Sequence, residues 1–335
     1  MKNVTIHDIA QQAKVSIATV SRVINRHNGV GSKTAARVRR VIARTGYIPD
    51  SIARGMRRRK SYAVGYIVSD ISNVHFTVAA KHLEETLARA GYSLVVCSTG
   101  GDRRREADLL HLMLAKQIDG LVINVSGTNN DLVCDISRRL PVVLLSRKIV
   151  DPAFNGDFVG SDAFQGAYDL GRHVAAMGHR RIGLIRGPQT ISTGSERYGG
   201  FVAALKEEGL ELDEELVYPG DYYQESGRDG AEHLLHSPRP PSILVVMNNM
   251  MALGVLIYLK QGGFSVPGDV SFAAYGNIAN RELLYVSPDA IGEKPDQEGA
   301  LAGELLLRRI ADRDAAPVTA LVPGELLIGN SIRRL

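Results

Sequence analysis

The sequence is poor in cysteine and has no long apolar run. Cysteine occurs only twice in 335 residues, at Cys97 and Cys134, which excludes a disulfide framework and a cysteine-rich metal site. No apolar stretch approaches the roughly 18 residues that are needed to cross a membrane. The N-terminal residues have no apolar core of a signal peptide. We therefore expect a protein of a reducing, bacterial-type cytoplasm that makes no membrane contact.

Catalytic motifs are also missing. The chain contains no G-x-S-x-G elbow, no phosphate-cradling P-loop and no G-x-G-x-x-G fingerprint. His233 and His236 lie three residues apart and could share a metal, but no third ligand is indicated. Surface or packing histidines are the better interpretation. We expect no enzyme activity, no cofactor and no metal.

Positive charge is concentrated at one end of the chain. Residues 1–60 carry 14 Lys and Arg against two acidic residues, whereas the other 275 residues carry 26 basic and 34 acidic residues. Such asymmetry indicates a polyanionic partner for the basic segment. A solvated basic tail is the alternative, but this segment also has apolar periodicity and helix caps.

The basic segment is predicted to form three short helices. The first runs from near Thr5, where Asp8 is the candidate capping partner, to about Gln12, and the second runs from Ile17 to Asn25 after a cap at Ser16. The third runs from a cap at Ser32 to about Thr45, and Gly46 is placed to end it. This arrangement places the second helix in a DNA major groove. The residues expected to face bases or phosphates there are Ser16, Ile17, Ala18, Thr19, Ser21 and Arg22. An arginine that binds guanine with two hydrogen bonds contributes about 1–3 kcal/mol of discrimination.

From Tyr62 onward, short apolar runs alternate with amphipathic helices. The candidate strands are 63–68, 93–98, 120–124, 142–146, 182–185, 243–246 and 270–274, and the candidate helices are 75–90, 103–116, 164–177, 195–208, 224–236, 249–261 and 296–313. This alternation predicts parallel sheets that are covered on both faces. The length indicates two sheets, with a break near 159–162 and a ligand cleft between two lobes.

Several motifs closely resemble the lactose/galactose repressor (LacI) family. In the head they are Val4-Thr5-Ile6-x-Asp8-Ile9-Ala10, Val15-Ser16-x-x-Thr19-Val20-Ser21-Arg22-Val23-x-Asn25 and Gly46-Tyr47-x-Pro49. In the remainder they include Asp70-Ile71-Ser72-Asn73, Gln117-Ile118-Asp119-Gly120-Leu121, Gly178-His179-Arg180-Arg181-Ile182 and Val266-Pro267-x-Asp269-Val270-Ser271. The resemblance covers nearly the whole chain.

The resemblance implies an N-terminal all-α helix-turn-helix head (1–48), a hinge helix (49–61) and a two-lobed, periplasmic-binding-protein-like α/β core (62–335). The N-lobe would comprise about 62–159 and 291–319, and the C-lobe about 160–290 and 320–335. It also implies a homodimer that binds a near-palindromic double-stranded DNA operator and is controlled by a small-molecule effector. The further DNA contacts that it implies are Thr5, Asn25, Ser32, Tyr47, Ala53, Met56 and Arg57, with Met56 at the position of a wedging leucine.

The effector site is also carried over from the resemblance. Its residues are Asp70, Ser72, Asn73, His75, Phe76, Ser146, Arg147, Arg197, Tyr222, Asn249, Gly276, Asn277 and Lys294. Sugar-binding members usually have aspartates where Ser146, Asn249 and Gly276 stand here. A cleft that loses carboxylates but keeps arginines favours an anion, such as a sugar acid or a phosphosugar. The alternative is a neutral sugar or nucleoside, with the cations paired to Glu293, Glu196 or Asp162.

Two other functions compete with a repressor. A solute-binding protein for transport would use the same core, but it would leave the basic head unexplained. An activator or an architectural DNA binder would use the same head. Repression is what the resemblance implies.

Overall fold

The structure is a computed structural model that describes residues 4–24, 29–47 and 60–335. The chain divides into two compact units, a head that ends at Ser61 and a core that begins at Tyr62. Residues 48–59, which hold most of the predicted hinge helix, lie outside the described residues. Four predicted DNA contacts lie outside them as well: Asn25, Ala53, Met56 and Arg57.

The described part of the head contains helices α1 (Ile6–Ala13), α2 (Ile17–Ile24) and α3 (Ser32–Thr45). α1 begins at a capping box, in which the Thr5 side chain accepts a hydrogen bond from Asp8 N and Asp8 Oδ2 accepts one from Thr5 N at 2.7 Å. The hydroxyl of Ser16 accepts a hydrogen bond from Thr19 N at 3.2 Å and so caps α2. The first two predicted caps are confirmed.

The predicted cap of the third helix is wrong. Gly31 is the N-cap of α3, Ser32 is already its first helical residue, and no side chain caps this end. Glycine is among the residues that tolerate the non-helical backbone of an N-cap, so the helix starts without the serine oxygen. Gly46, at φ 63°, ends α3 in the left-handed conformation, as predicted.

The head has its own apolar core. Ile9, Ala13, Val20 and Val38 are fully buried and come from all three helices. Helices of eight residues are not stable alone in water. The packing of these side chains is therefore what maintains α1 and α2.

The described residues of the core form twelve strands and eight helices. The strands are β1 (Ala63–Val68), β2 (Ser93–Ser98), β3 (Gly120–Ile123), β4 (Val142–Leu145), β5 (Asp157–Ser161), β6 (Ile182–Arg186), β7 (Val217–Pro219), β8 (Ile243–Val246), β9 (Ser271–Tyr275), β10 (Asp289–Gly292), β11 (Thr319–Val322) and β12 (Glu325–Leu327). The helices are α4 (Val74–Arg89), α5 (Arg103–Ala115), α6 (Asn130–Ser137), α7 (Ala163–Ala176), α8 (Ser192–Glu207), α9 (Gln224–Leu235), α10 (Asn249–Gln261) and α11 (Pro295–Ala311).

These strands form two six-stranded sheets. The N-lobe sheet has the order β11-β5-β4-β3-β1-β2 and is parallel throughout. The C-lobe sheet has the order β12-β10-β9-β8-β6-β7, in which only β12 runs antiparallel. Helices α4 and α11 cover one face of the N-lobe sheet, and α5 and α6 cover the other. Helices α9 and α10 and helices α7 and α8 cover the two faces of the C-lobe sheet. The predicted two-lobed parallel α/β core is confirmed.

The chain passes between the lobes three times, and two passages come later than we predicted. The first follows β5 at Asp162, the second follows β10 at 293–294, and the third joins β11 to β12 at 323–324. We had placed the second at 290–291 and the third at 319–320.

Some elements of the core were not predicted from the sequence. They are strands β5, β7, β10, β11 and β12 and helix α6. Each of these strands is short, so its pairing rather than its own apolar pattern defines it.

A buried ion pair attaches α11 to the N-lobe sheet. Asp157, at the start of β5, is fully buried and accepts hydrogen bonds from Arg309 Nε and Nη2, both at 2.8 Å. Asp157 Oδ1 also accepts a hydrogen bond from Val318 N at 2.8 Å, just before β11. This carboxylate therefore holds an edge strand and a helix in place together.

Asp157→Ala should lower the free energy of unfolding of the core by about 3–5 kcal/mol, because Arg309 would remain buried without its carboxylate. Urea unfolding followed by circular dichroism measures the change. Asp135→Ala is the matched control, since it breaks a solvent-exposed pair with Arg138 and should cost less than about 1 kcal/mol. Equal losses in the two variants would contradict this account.

Candidate functional site

A cavity of about 300 Å³ lies between the two lobes of the core. Its polar residues follow the carboxyl ends of strands from both sheets, where open α/β sheets bind ligands. Nine of the predicted effector residues line it: Asp70, Asn73, His75, Phe76, Ser146, Arg147, Arg197, Tyr222 and Asn249. The two lobes thus bring together residues that are far apart in the chain.

Four residues of the predicted effector site lie outside the cavity lining: Ser72, Gly276, Asn277 and Lys294. Asn277 instead hydrogen-bonds to the backbone of Glu293, donating to its carbonyl at 2.7 Å and accepting from its N–H at 3.0 Å. Lys294 Nζ lies 3.9 Å from Glu325 Oε2 at the surface. Glu293, one residue earlier, faces the cavity instead. Neighbouring residues of an extended segment point to opposite sides, so an error of one position exchanges the two side chains.

Several polar lining residues were missed by the sequence analysis. They are Asn124, Ser126, Thr190, Thr193, Asp221, Tyr223 and Asn248, and Glu293 had been named only as a candidate partner of the cleft cations. Asn124 and Asn248 stand at the ends of apolar runs that we had predicted as strands, so position alone could have identified them. Asp221 and Glu293 follow β7 and β10, which the sequence did not indicate.

Direct contacts join the lobes across this cavity. Asn249 Nδ2 donates to Asn73 Oδ1 at 2.9 Å, and each amide lies at the N-terminus of a helix, α10 or α4. Lys148 contributes a second contact, because its N–H donates to Ser192 Oγ at 2.8 Å and its Nζ donates to Glu196 Oε1 at 2.9 Å. The relative position of the lobes therefore depends on a few polar contacts at the cavity.

Arg197 is neutralised by a buried carboxylate. Its Nη2 lies 3.0 Å from Glu293 Oε1, its Nη1 donates to the Met247 carbonyl at 2.8 Å, and its guanidinium stacks 3.9 Å from the ring centroid of Tyr275. Burial, the largest effect, would lower the pKa of Arg197, but Glu293 together with smaller contributions from Tyr222, Tyr275 and Glu298 raises it overall. Conversely, burial tends to raise the pKa of Glu293, whereas Arg197 and then His75 lower it overall.

This pair corrects the premise that the cations of the cleft have no carboxylate partners. Asp70, Asp221 and Glu293 all line the cavity. Arg197, which we had counted as a cation free to bind an anion, already has a carboxylate partner. Only the alternative interpretation had paired the cations, and it named Glu293, Glu196 or Asp162 without assigning any of them to Arg197.

Arg147 differs from Arg197 in its surroundings. Its Nη1 donates to the Val125 carbonyl at 3.0 Å, and its guanidinium lies 5.9 Å from the ring centroid of Tyr222. Throughout the described part of the chain, no acidic side chain forms an ion pair with it. Burial lowers its pKa, and the positive charge of Arg197 adds to that effect. Arg147 is therefore a desolvated cation at the cavity surface with no carboxylate partner among the described residues.

Two non-glycine residues of the cavity have left-handed backbone conformations. Ser146 has φ 66° and Tyr222 has φ 77°. Such conformations are costly for side chains with a Cβ and concentrate at functional sites. Ser146 precedes Arg147 in the chain, and the ring of Tyr222 lies beside its guanidinium. The backbone strain is therefore located next to the unpaired cation.

The head presents the predicted DNA-reading surface at the start of α2. Ser16, Ile17, Ala18 and Arg22 are exposed, whereas Thr19 and Ser21 are half-buried. Ile17 is 39% exposed although it is apolar, which leaves it free to contact a base edge. Among the other predicted contacts, Thr5 and Ser32 are exposed, and Tyr47 is half-buried against the head core.

Comparisons with known proteins agree with this arrangement. Residues 5–50 match the model of bacterial regulatory proteins of the lacI family, and residues 61–328 match the model of periplasmic binding proteins and the sugar-binding domain of the LacI family. The chain belongs to the LacI family. This LacI-family chain is 30% identical over 334 residues to the HTH-type transcriptional repressor PurR of Mannheimia succiniciproducens, covering 99% of each chain. It is 29% identical over 330 residues to PurR of Escherichia coli, covering 98% of this chain and 96% of that one.

Solved structures of LacI-family regulators have the same fold. The Lac repressor dimer bound to operator and the anti-inducer ONPF superposes with a TM-score of 0.86 at 23% identity, over 99% of this chain and 100% of that chain. The transcriptional regulator CelR in complex with cellobiose gives a TM-score of 0.73 at 25% identity, over 98% and 99%. The relatives are transcriptional repressors rather than enzymes. This chain is accordingly a DNA-binding LacI-family repressor that is regulated by a small-molecule effector.

No helix within the described residues is long and apolar enough to span a membrane.

Glu293→Leu should destabilise the core by about 3–5 kcal/mol, because it leaves the Arg197 guanidinium buried without a carboxylate. The free energy of unfolding from urea titrations tests this. Glu325→Ala serves as the control, since its contact with the partly exposed Lys294 is long and should contribute less than about 1 kcal/mol. An unchanged stability of Glu293→Leu would show that the pair does not hold this part of the core.

Proposed function

We propose that the chain acts as a homodimer that binds a near-palindromic operator through the two copies of α2. A two-fold dimer reads two half-sites, so operator symmetry follows from protein symmetry. In this proposal residues 1–48 read the DNA, residues 49–61 form the hinge, and residues 62–335 bind the effector and form the dimer. The support is the exposed N-terminal face of α2 in a segment with 14 basic and two acidic residues.

The proposed readout at the bases depends on Arg22, Ile17 and Ala18. Arg22 is exposed on α2, as a guanine contact requires, and the other two offer apolar contacts. Ser16 and Thr19 are hydrogen-bonded to each other at 3.0 Å, which leaves further lone pairs and protons for phosphates. The proposal also includes four DNA contacts that lie outside the described residues: Asn25, Ala53, Met56 and Arg57.

Arg22→Ala should lose about 1–3 kcal/mol of discrimination between the operator and a single-base variant of it, with a smaller change on unrelated DNA. Fluorescence anisotropy at constant salt measures this, with an operator obtained by selection from random DNA. Arg44→Ala is the control, because its guanidinium is hydrogen-bonded to Gln12. If Arg22→Ala weakened binding equally on all DNA sequences, Arg22 would contact a phosphate and not a base.

For the effector, we propose a small polyhydroxylated molecule that carries an anionic group, such as a sugar acid or a phosphosugar. The observation that carries this proposal is Arg147, a desolvated cation that has no carboxylate partner among the described residues. Arginine binds carboxylate or phosphate with paired, charge-assisted hydrogen bonds. An anion at this point would therefore recover the cost of removing Arg147 from water.

The rest of the cavity suits hydroxyl groups. Carboxylates, amides and hydroxyls from Asp70, Asp221, Asn124, Asn248 and Thr193 line it and can accept or donate hydrogen bonds. Phe76 and Tyr222 add apolar surface for a ring. The structure of CelR with cellobiose, a relative at 25% identity, is in keeping with a carbohydrate-like effector.

A neutral sugar or nucleoside is the second candidate. The Arg197–Glu293 pair favours it, because one of the two arginines in the cavity is already neutralised. In that case Arg147 would bind a hydroxyl or a carbonyl oxygen. The two candidates differ in whether affinity depends on charge at Arg147.

Isothermal titration calorimetry against gluconate-like acids, phosphosugars and neutral sugars separates the candidates. We expect at least one acidic compound to bind, and Arg147→Gln to weaken it by about 10- to 150-fold, the equivalent of about 1.5–3 kcal/mol for a hydrogen bond to a charged group. Lys294→Gln is the control, because this lysine lies outside the cavity lining. Binding of neutral sugars only, with Arg147→Gln unaffected, would refute the acidic effector.

A further inference from the structure

A second ionisable cluster lies next to the cavity. His75, at the start of α4, lines the cavity and is 8% exposed, whereas Glu298, in the first turn of α11, is fully buried. His75 Nε2 lies 3.5 Å from Glu298 Oε2, and His75 Nδ1 lies 3.7 Å from Glu293 Oε2. The imidazole is therefore held between two carboxyl groups.

Few hydrogen bonds are available to stabilise a charge on Glu298. Among the described residues, no hydrogen-bond partner is found for either oxygen of Glu298, for His75 Nδ1, or for the buried hydroxyl of Tyr66. A buried carboxylate without hydrogen bonds is costly, so Glu298 is stable here only with a proton. Burial and then the charge of Glu293 raise the pKa of Glu298 well above its ordinary value, while burial lowers the pKa of His75.

The charges around the His75–Glu298 pair favour a pair with no net charge, in which Glu298 is protonated and His75 is neutral. The ionisable groups that face it are Glu293, Arg197, Asp296, Tyr66 and Tyr275. Arg197 and Glu293 neutralise each other, and burial raises the pKa of both tyrosines, which keeps them neutral. Asp296 is exposed, and its negative charge favours the protonated form of Glu298. Removing the proton would thus add an uncompensated negative charge.

The His75–Glu298 pair also touches the residues that join the two lobes. Asn73 Oδ1 accepts a hydrogen bond from His75 N at 3.1 Å and another from Asn249 Nδ2, which belongs to the C-lobe. Ser146 Oγ lies 3.3 Å from His75 Nε2. An ionised Glu298 would need water, and His75 separates it from the cavity. Hydration of Glu298 therefore requires His75 to move, and this movement disturbs the Asn73–Asn249 contact.

We propose that His75 and Glu298 hold one exchangeable proton, and that loss of this proton at alkaline pH releases the contact between the lobes. The contact between the lobes would then depend on pH through His75, which lines the cavity, and Glu298, which is buried behind it. This inference goes beyond the proposed function, because it does not depend on the class of effector or on the operator.

The first test follows His75 by NMR in the full-length protein with 13C-labelled histidine. The His75 signal is identified by its loss in His75→Gln. Between about pH 5 and about pH 10, we expect His75 to stay neutral and its signal to move once, at the alkaline pH where Glu298 ionises. Glu298→Gln should abolish this movement. Glu304→Gln, an exposed glutamate on the same helix, should retain it.

The second test measures hydrogen exchange of the amides at residues 73–77 and 249–252, corrected for the intrinsic effect of pH. We expect faster exchange above the same alkaline pH in the native protein and in Glu304→Gln, but not in Glu298→Gln. Alkaline changes in the His75 signal and in exchange that persist in Glu298→Gln would overturn the proposal, as would their absence from the native protein. If Glu298→Gln does not fold, Glu298→Leu also removes the titrating group and fits the surrounding apolar side chains.

The melting temperature provides a third readout. The pKa of Glu298 is higher in the folded protein than in the unfolded chain. The protonated carboxyl therefore contributes fully to stability below the unfolded pKa, and this contribution is lost as the pH rises through the folded pKa. The native melting temperature should therefore fall relative to that of Glu298→Gln as the pH rises from the unfolded pKa of Glu298 to its alkaline folded pKa, and the fall should end above the folded pKa. A difference that is constant with pH would indicate a packing effect only and would contradict a proton on this pair.

Discussion

Arg197 and Glu293 are both more than nine-tenths buried, and a charge of either sign alone would be unstable at that depth. Arg197 comes from α8 of the C-lobe, and Glu293 lies in the second passage of the chain between the lobes. Glu293 also accepts a hydrogen bond from Ser161, at the first passage. The pair thus connects both passages to the C-lobe at the level of the cavity. Pairing of these two charges is what allows each of them to be buried at the wall of the cavity.

This pairing also changes what the cavity can recognise. An arginine with its own carboxylate offers a ligand little net charge, so Arg197 mainly supplies shape and hydrogen bonds. Arg147, a few residues beyond β4, keeps its charge for the ligand, because its nearest polar contact is the neutral carbonyl of Val125. Two arginines that look equivalent in the sequence therefore have different chemical roles.

The His75–Glu298 pair extends the same principle of charge neutrality. Glu298 cannot share Arg197 on equal terms with Glu293, which is nearer to the guanidinium, so it is neutralised by a proton instead. A proton can leave, whereas an arginine cannot be deprotonated in proteins. Rising pH therefore leaves the Arg197–Glu293 pair neutral, whereas it can remove the proton that neutralises the His75–Glu298 pair. The pH-dependent group also lies next to the Asn73–Asn249 contact between the lobes.

Local patterns in the sequence were sufficient for the helices of the head and for the longer strands and helices of the core, whereas the nine predicted residues that line the cavity came from the family resemblance. Caps such as Thr5 and Ser16, and apolar runs such as Val142–Leu145, act over a few residues and are visible in any stretch that contains them. The short strands β5, β7, β10, β11 and β12 were not visible. Three to five residues carry too weak a pattern, and pairing partners up to 161 residues away define them.

The sequence by itself determined the fold class, the family and the side of each sheet on which a ligand would bind. Tertiary structure decided the charge state of the site. Burial and distance, not residue type, determine whether Arg197 is free or paired, whether Glu293 or Lys294 faces the cavity, and whether Glu298 is ionised. Those quantities arise only when residues more than 90 positions apart, such as Arg197 and Glu293, are brought within 3.0 Å in a region that excludes water.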